Sequence, residues 1–287
     1  MMGWQPIDAS NRRCVTPLAV SVALIASAIL LSSQASAGQT ATASLTREQI
    51  REFLLTAKIV KSKSIPTGVT RPVRLTLSDG TLTHDAAFST VDEHRNIERF
   101  SSGRVELDFV DSYKYSLAAY KLAELLGLDG MMPVHVERAW EGRKGALAWW
   151  VDAVQMTEGE RLKKRIEVPN PSKWNEQMYR MRVFSQLVAD TDRNVGNILI
   201  DADWTLWMID FTRAFRHSRT LLAAGDLKKC DRQLLERLRG LTAEGVAAAT
   251  RPYIGGAEIE ALMIRRDLIV ALFDKLVAEK GDAQVIY

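Results

Sequence analysis

The sequence predicts an α+β molecule of two lobes, a small strand-rich one followed by a mostly helical one. Three observations carry that expectation. Period-two alternation and hairpin turns are concentrated between residues 59 and 156. Helical spacing prevails beyond about residue 219. The two regimes meet at a helix, a polar loop and a short hairpin within residues 172–212. Of the 287 residues, 47% are apolar and 25% charged, which excludes a collagen, a disordered tail and a disulfide-stapled miniprotein. With 38 basic against 35 acidic residues and 7% aromatics, no nucleic-acid partner is expected.

The first 37 residues stand apart. Arg12 and Arg13 precede an uncharged apolar run at 15–31, and Ala35 and Ala37 sit at the −3 and −1 positions before Gly38. This pattern predicts a secretory signal peptide over 1–37 and an exported protein, periplasmic or secreted. A signal-anchored form is the lesser alternative, because the run of 17 residues is short for a membrane span. With the signal cleaved, no stable span is expected. The mature chain then carries 36 basic and 34 acidic residues, and Cys230 is left without Cys14 as a disulfide partner.

The mature chain reads as follows. Residues 38–44 are a small polar linker. A helix is expected over 45–58, with Thr46 as its cap and Phe53, Leu54 and Ala57 on one face. Residues 59–65 lead through Pro66-Thr67-Gly68 into a strand, where Val73, Leu75 and Leu77 alternate with Arg74 and Thr76. Asp79-Gly80 turns it into a returning strand over 81–91. The charged stretch 92–108 is expected to be irregular. A helix follows at 112–126 and stops at Gly127. Residues 133–140 and 146–156 predict another hairpin, with Gly142 and Gly145 in its turn. This strand-rich lobe is taken as 38–157 and the helical lobe as 158–287. The helical lobe opens on a charged connector at 158–171 and a helix over 172–190 capped by Ser172. Two short strands at 198–200 and 206–209 follow, then helices at 226–238, 242–249 and 257–279. No internal repeat is visible.

The segment that carries chemistry runs from 190 to 212. It contains Asp192-Arg193-Asn194-Val195-Gly196-Asn197 before one short strand, and Ile209-Asp210-Phe211 at the end of the next. A loop and its adjacent hairpin can converge the oxygens of Asp192, Asn197 and Asp210 on one point. Phosphoryl transfer needs such a set: a carboxylate to receive the acceptor's proton, and carboxylate and amide oxygens for the magnesium that bridges the phosphates.

In these motifs the sequence resembles the atypical branches of the protein-kinase-like superfamily: phosphatidylinositol kinases, HipA-type bacterial kinases and the secretory-pathway kinases of the Golgi. It also resembles a bacterial group of exported kinase-like proteins, through Gly68-Val69-Thr70, His84-Asp85-Ala86-Ala87-Phe88, Asp111-Ser112-Tyr113-Lys114-Tyr115 and Val136-Glu137-Arg138. The resemblance covers residues 50–215. It implies a kinase-like fold that uses Mg²⁺ and ATP or another nucleotide, on an acceptor, protein or small molecule, that it leaves unnamed. Asp192 would be the catalytic carboxylate, assisted by Asn197. Asn197 and Asp210 would be the metal ligands, and Arg193 structural or electrostatic. Gly68 would belong to the phosphate loop, and Trp150, with Trp149 and Met156, to the adenine pocket. The phosphate-binding lysine is replaced by Ser89, and its glutamate partner by Ser116. Lys114, Arg95 and Lys144 are the basic residues available to substitute, and the sequence selects none of them. Two functions therefore stand side by side: a Mg-nucleotide-dependent phosphotransferase, favoured by the Asp/Asn/Asp set, and a pseudokinase-like binding module, favoured by the missing lysine and glutamate.

Other chemistries have weaker support. Asp190, Asp192 and Asn194 start a calcium-loop pattern, which fails at Val195 and Asp201. His84, His94, His135 and His217 lack metal-ligand spacing, although His84-Asp85 lies beside the expected phosphate site. No G-x-S-x-G elbow exists, and Cys230 has no local partner.

Overall fold

The strand-rich part is built on one antiparallel sheet. The computed structural model describes residues 45–65, 72–100, 103 and 105–287; the expected signal peptide and Gly68 lie outside the described residues. Helix α1 (Arg47–Thr56) starts at Thr46, whose side chain accepts from the Gln49 amide while Gln49 returns a bond to the Thr46 amide. Strand β1 (Lys58–Ser64) then pairs with β2 (Val73–Ser78), and β2 with β3 (Thr83–Ser89) across the Asp79-Gly80 turn. Asp79 caps that turn by accepting from the amides of Thr81 and Leu82. The edge strand β1 was not evident in the sequence, because nearly every residue of it is exposed. Its lysines, Lys58, Lys61 and Lys63, suit an open sheet edge.

The stretch expected to be irregular at 92–108 is instead a hairpin, β4 (Asp92–Arg99) and β5 (Val105–Ser112), forming a two-stranded sheet of its own. Helix α2 (Tyr113–Leu126) follows. Ser112 caps its start, and Gly127, at φ 65°, ends it in the left-handed conformation that glycine adopts without cost. Strands β6 (His135–Trp140) and β7 (Arg143–Trp149) complete the five-stranded order β1-β2-β3-β7-β6. The register defines two faces. Phe88, Leu147 and Val136 share one with the α1 side chains, where Phe53 meets Trp149 edge-on at 5.8 Å. Ala87, Ala148, Ser89, Ala146 and Glu137 share the other, where Tyr113 and Leu117 of α2 pack on Ala146.

Gly145 lies inside β7, not in the turn. A Cβ there would come within 2.4 Å of the Ser89 carbonyl oxygen and 2.8 Å of the Phe88 ring. Gly145→Ala should therefore cost about 1–3 kcal/mol, read as a lower urea midpoint at unchanged slope.

The chain continues through β8 (Val154–Thr157) into α3 (Glu158–Lys164), a helix within the expected connector, opened by a Thr157/Glu160 capping box. Helix α4 (Pro171–Leu187) is capped by Asn170 rather than Ser172: the Asn170 side chain accepts from the Lys173 amide, and Pro171 suits the first helical position. Strands β9 (Ile198–Asp201) and β10 (Leu206–Met208) join β8 in a three-stranded sheet. Helices α5 (Arg232–Gly240), α6 (Ala243–Thr250), α7 (Gly256–Lys280) and α8 (Asp282–Val285) fill the remainder, with residues 211–231 largely loop. One apolar core runs from Phe53 and Leu75 through Phe184 and Phe211 to Leu262 and Phe273. Among the described residues no helix is long and apolar enough to cross a membrane.

Candidate functional site

The loop after α4 is built around a buried ion pair. Ala189 takes a left-handed turn at φ 46°, and Asp190 closes back on the helix through its amide to the Ser185 carbonyl. The Asp190 carboxylate accepts from the Asp192 amide at 3.0 Å and from Arg193 Nε at 2.8 Å. Arg193 then donates to the carbonyls of Asn197 (2.9 Å), Ile209 (2.7 Å) and Asp210 (3.0 Å), with its guanidinium 4.1 Å over the Phe211 ring. One side chain thus holds the start of the loop and both strands at the mouth of the hairpin. Burial pushes the Asp190 carboxyl up; the charge of Arg193 pulls the other way.

The hairpin sets the spacing of the expected ligands. Met208 pairs with Ile198, and the Ile209 amide donates to the Asn197 carbonyl at 3.2 Å, so Asn197 and Asp210 emerge at the same end. Asn197 Nδ2 donates to the Asp192 carbonyl at 3.1 Å. The backbone of Asp192, Asn197 and Asp210 is therefore drawn together, and Asp192 and Asp210 are exposed. Asp210 has φ 57°, an unusual conformation for a residue with a Cβ, and Thr212 Oγ1 donates to its Oδ1 at 2.9 Å. The calcium pattern does not survive. Asp190 is committed to Arg193, and Asp201 builds the β9–β10 turn by accepting from the amides of Asp203 and Thr205.

Two residues at this segment have no role assigned from the sequence, although Asp111 stands in one of the stretches that carry the resemblance. Asp111, at the end of β5, has a buried Oδ1 with no hydrogen-bond partner among the described residues. Burial pushes its carboxyl up, a hydrogen bond from Thr212 lowers it, and the charge of Asp210 raises it further. The second is Arg213, which pairs with Glu106 at 2.6 Å and lies 4.4 Å over Phe109, clamping the β4–β5 arm onto the segment after Asp210. The Ser112 amide donates to the Thr212 carbonyl at the same junction.

The oxygen-only donors of Asp210 and Asn197, with an orphaned carboxylate oxygen beside them, suit a hard divalent cation. Among the described residues no group of three or more His, Cys, Asp or Glu is placed to hold a metal ion. A cation here would draw its other oxygens from an amide, water and bound phosphate, the pattern common for magnesium.

The residues expected on the nucleotide side are arranged differently. Ser89 ends β3 with its Oγ buried and without a hydrogen-bond partner among the described residues. Ser116 is buried in α2. Lys114, in the first turn of α2, pairs with Asp92 at 2.7 Å near the surface. The carboxylate on the Ser89 row is Glu137, across Ala146, and it accepts from the Tyr113 hydroxyl at 3.2 Å. Burial, then the charge of Glu137, pushes that phenol up to about 12. Trp150 follows β7, with its amide bonded to the Asp85 carbonyl and its ring beneath the Arg74 guanidinium at 4.2 Å. Trp149 belongs to the core side, stacked on His84 at 3.4 Å, and His84 Nε2 lies 2.8 Å from Asp152.

No protein-family model and no curated protein matches the chain. Solved structures do match. A hydra Fam20 solved with sugar superposes with TM-score 0.61 at 13% identity, covering 84% of this chain and 91% of that one. The Golgi casein kinase superposes at 0.58 and 12%, covering 84% and 78%, and its Mn/ADP-bound structure at 0.57 and 12% with the same coverage. The chain has an atypical protein-kinase-like fold.

Proposed function

We propose that this protein is an exported phosphotransferase that moves a phosphoryl group from Mg²⁺-bound ATP or another nucleotide to an acceptor hydroxyl. The observation that supports the reading is that Arg193 holds the backbone carbonyls of Asn197 and Asp210 at one hairpin mouth while the Asn197 amide bonds the Asp192 carbonyl. In this reading 38–157 form the nucleotide lobe and 158–287 the lobe that bears the catalytic loop. Asp192, exposed and without an ion pair among the described residues, orients the acceptor hydroxyl and takes its proton. Asn197 and Asp210 hold the divalent cation, which when bound neutralises charge on the phosphates. The Mn/ADP complex of the Golgi casein kinase supports a nucleotide and divalent metal as ligands. The second reading is a pseudokinase-like binding module. The buried, unpartnered Ser89 hydroxyl and buried Ser116 favour it, since no lysine–glutamate pair stands there.

Thermal unfolding of the mature chain with ATP, with Mg²⁺ and with both separates these. Both together should stabilise the fold by about 2.7 kcal/mol at a hundredfold excess over Kd. Asp210→Ala should abolish the metal-dependent part. Asp192→Asn should keep the shift while turnover falls about 10²–10⁴-fold. A wild-type protein that ignores every nucleotide and metal combination would sink the enzyme reading. A shift without turnover on any acceptor would favour the binding module.

A further inference from the structure

The nucleotide side lacks its lysine at Ser89, yet a second cation lies on the same face of the sheet. Arg74 of β2 is directly opposite Ala87 of β3, and the next residues of β3 on that face are Asp85 in one direction and Ser89 in the other. Each is two residues, about 7 Å, along the strand from Ala87. Arg74 now leans toward Asp85: Nε donates to Oδ2 at 2.6 Å, a second guanidinium nitrogen contacts the same oxygen, and the plane rests 4.2 Å over Trp150. Desolvation raises the Asp85 carboxyl, but hydrogen bonds from Thr76 and Arg74 outweigh it and hold the group below its ordinary range. The Arg74 side chain is 41% exposed, and such a pair, screened by solvent, is easily exchanged for a stronger anion. On the other side of Ala87, Ser89 Oγ is buried without a hydrogen-bond partner. A change of rotamer would carry the guanidinium from the Asp85 side to the Ser89 side, and its fork matches phosphate bidentately. The competing cation, Lys114, is tied to Asp92 at the arm–helix junction.

We propose that Arg74 is the phosphate-binding cation of the nucleotide site, resting on Asp85 and Trp150 until a polyphosphate displaces that contact. The proposal rests on the phosphotransfer reading of the cleft and names the residue that replaces the missing lysine. Calorimetric titration of the mature chain with Mn–ATP, adenosine and Mn–tripolyphosphate tests it. Arg74→Ala should weaken ATP and tripolyphosphate about tenfold and leave adenosine unchanged. Arg74→Lys should recover part of the loss. Asp85→Asn should tighten both polyphosphates by releasing Arg74. Melting curves confirm that each variant is folded, and Arg74→Gln is the substitute where alanine disturbs the strand. Equal loss for adenosine and ATP, no loss, or a loss that follows Lys114→Ala instead overturns the proposal. ATP binding that needs Asp210 but not Arg74 overturns this proposal while leaving the phosphotransfer reading standing. Arg74-dependent tripolyphosphate binding without ATP binding overturns the nucleotide reading and with it the assignment of Arg74 to a nucleotide site, and a wild type that binds neither ligand overturns both.

Discussion

Arg193→Ala should cost about 3–5 kcal/mol of stability and erase the metal-dependent response of the site. The Arg193 side chain is 8% exposed and that of Asp190 wholly buried. Removing the guanidinium leaves a buried carboxylate without its partner and three carbonyls, of Asn197, Ile209 and Asp210, without their donor. Those carbonyls belong to the hairpin mouth from which Asn197 and Asp210 project, so the ligands lose their spacing as the fold weakens. The pH behaviour follows from the sign of the Asp190 shift. Its folded pKa is raised above the unfolded value of about 3.9, so its contribution is fully present below that value and is lost as pH rises through the folded one. Burial works against the Asp190 charge and Arg193 offsets part of that cost, so the pair serves geometry more than stability. A double replacement, Asp190→Leu with Arg193→Met, should destabilise less than Arg193→Ala alone while still losing the metal response. Urea unfolding of wild type and the two variants, with Mn²⁺ titrations on each, checks both halves. A single mutant as stable as wild type would show that Arg193 does not hold the loop.

Much of this is legible in the sequence, and the parts that are not have physical causes. Helix α2 carries its own punctuation in Ser112 and Gly127, and the β9–β10 hairpin declares itself through Ile198-Leu199-Ile200 and Leu206-Trp207-Met208, because these signals are local. Strands β4 and β5 left no alternating trace because almost none of their residues is buried; cross-strand pairing and the Arg213–Glu106 clamp hold them instead. Helix α3 had a readable capping box in Thr157 and Glu160, but its exposed, charged remainder resembles a connector. Arg74 looked like the solvent side of an alternating strand. Only the register of β2 on β3 shows that this side is shared with Ala87, Asp85 and Ser89. The Asp192, Asn197 and Asp210 positions were readable from spacing. That Asp190 belongs to Arg193 rather than to an ion requires the folded turn.

Arg265→Ala should lower stability by about 3–5 kcal/mol, a Tm drop of about 10 °C. Arg265 of α7 is completely buried in the helical part of the core. Its Nε donates to the Leu187 carbonyl at 2.8 Å, and Nη1 to the carbonyls of Arg216 (2.9 Å) and Ser218. Its hydrogen bonds go to backbone oxygens rather than to a carboxylate, and the last-turn carbonyl of α4 adds the negative end of the helix dipole. Desolvation pulls the guanidinium down to about 10, so it remains charged at neutral pH. Alanine would leave a cavity together with three carbonyls deprived of their donor. Both segments that Arg265 joins lead to the site: α4 runs into the Asp192 loop, and 216–218 ends the stretch that begins at Asp210. Arg265→Met keeps most of the volume and should fall between alanine and wild type. Arg265→Lys should resemble methionine, because one ammonium cannot span Leu187 on one side and Arg216 with Ser218 on the other. Calorimetric melting of the three variants decides the order. Should lysine prove as stable as arginine, a single charge would suffice and the two-sided span would be refuted.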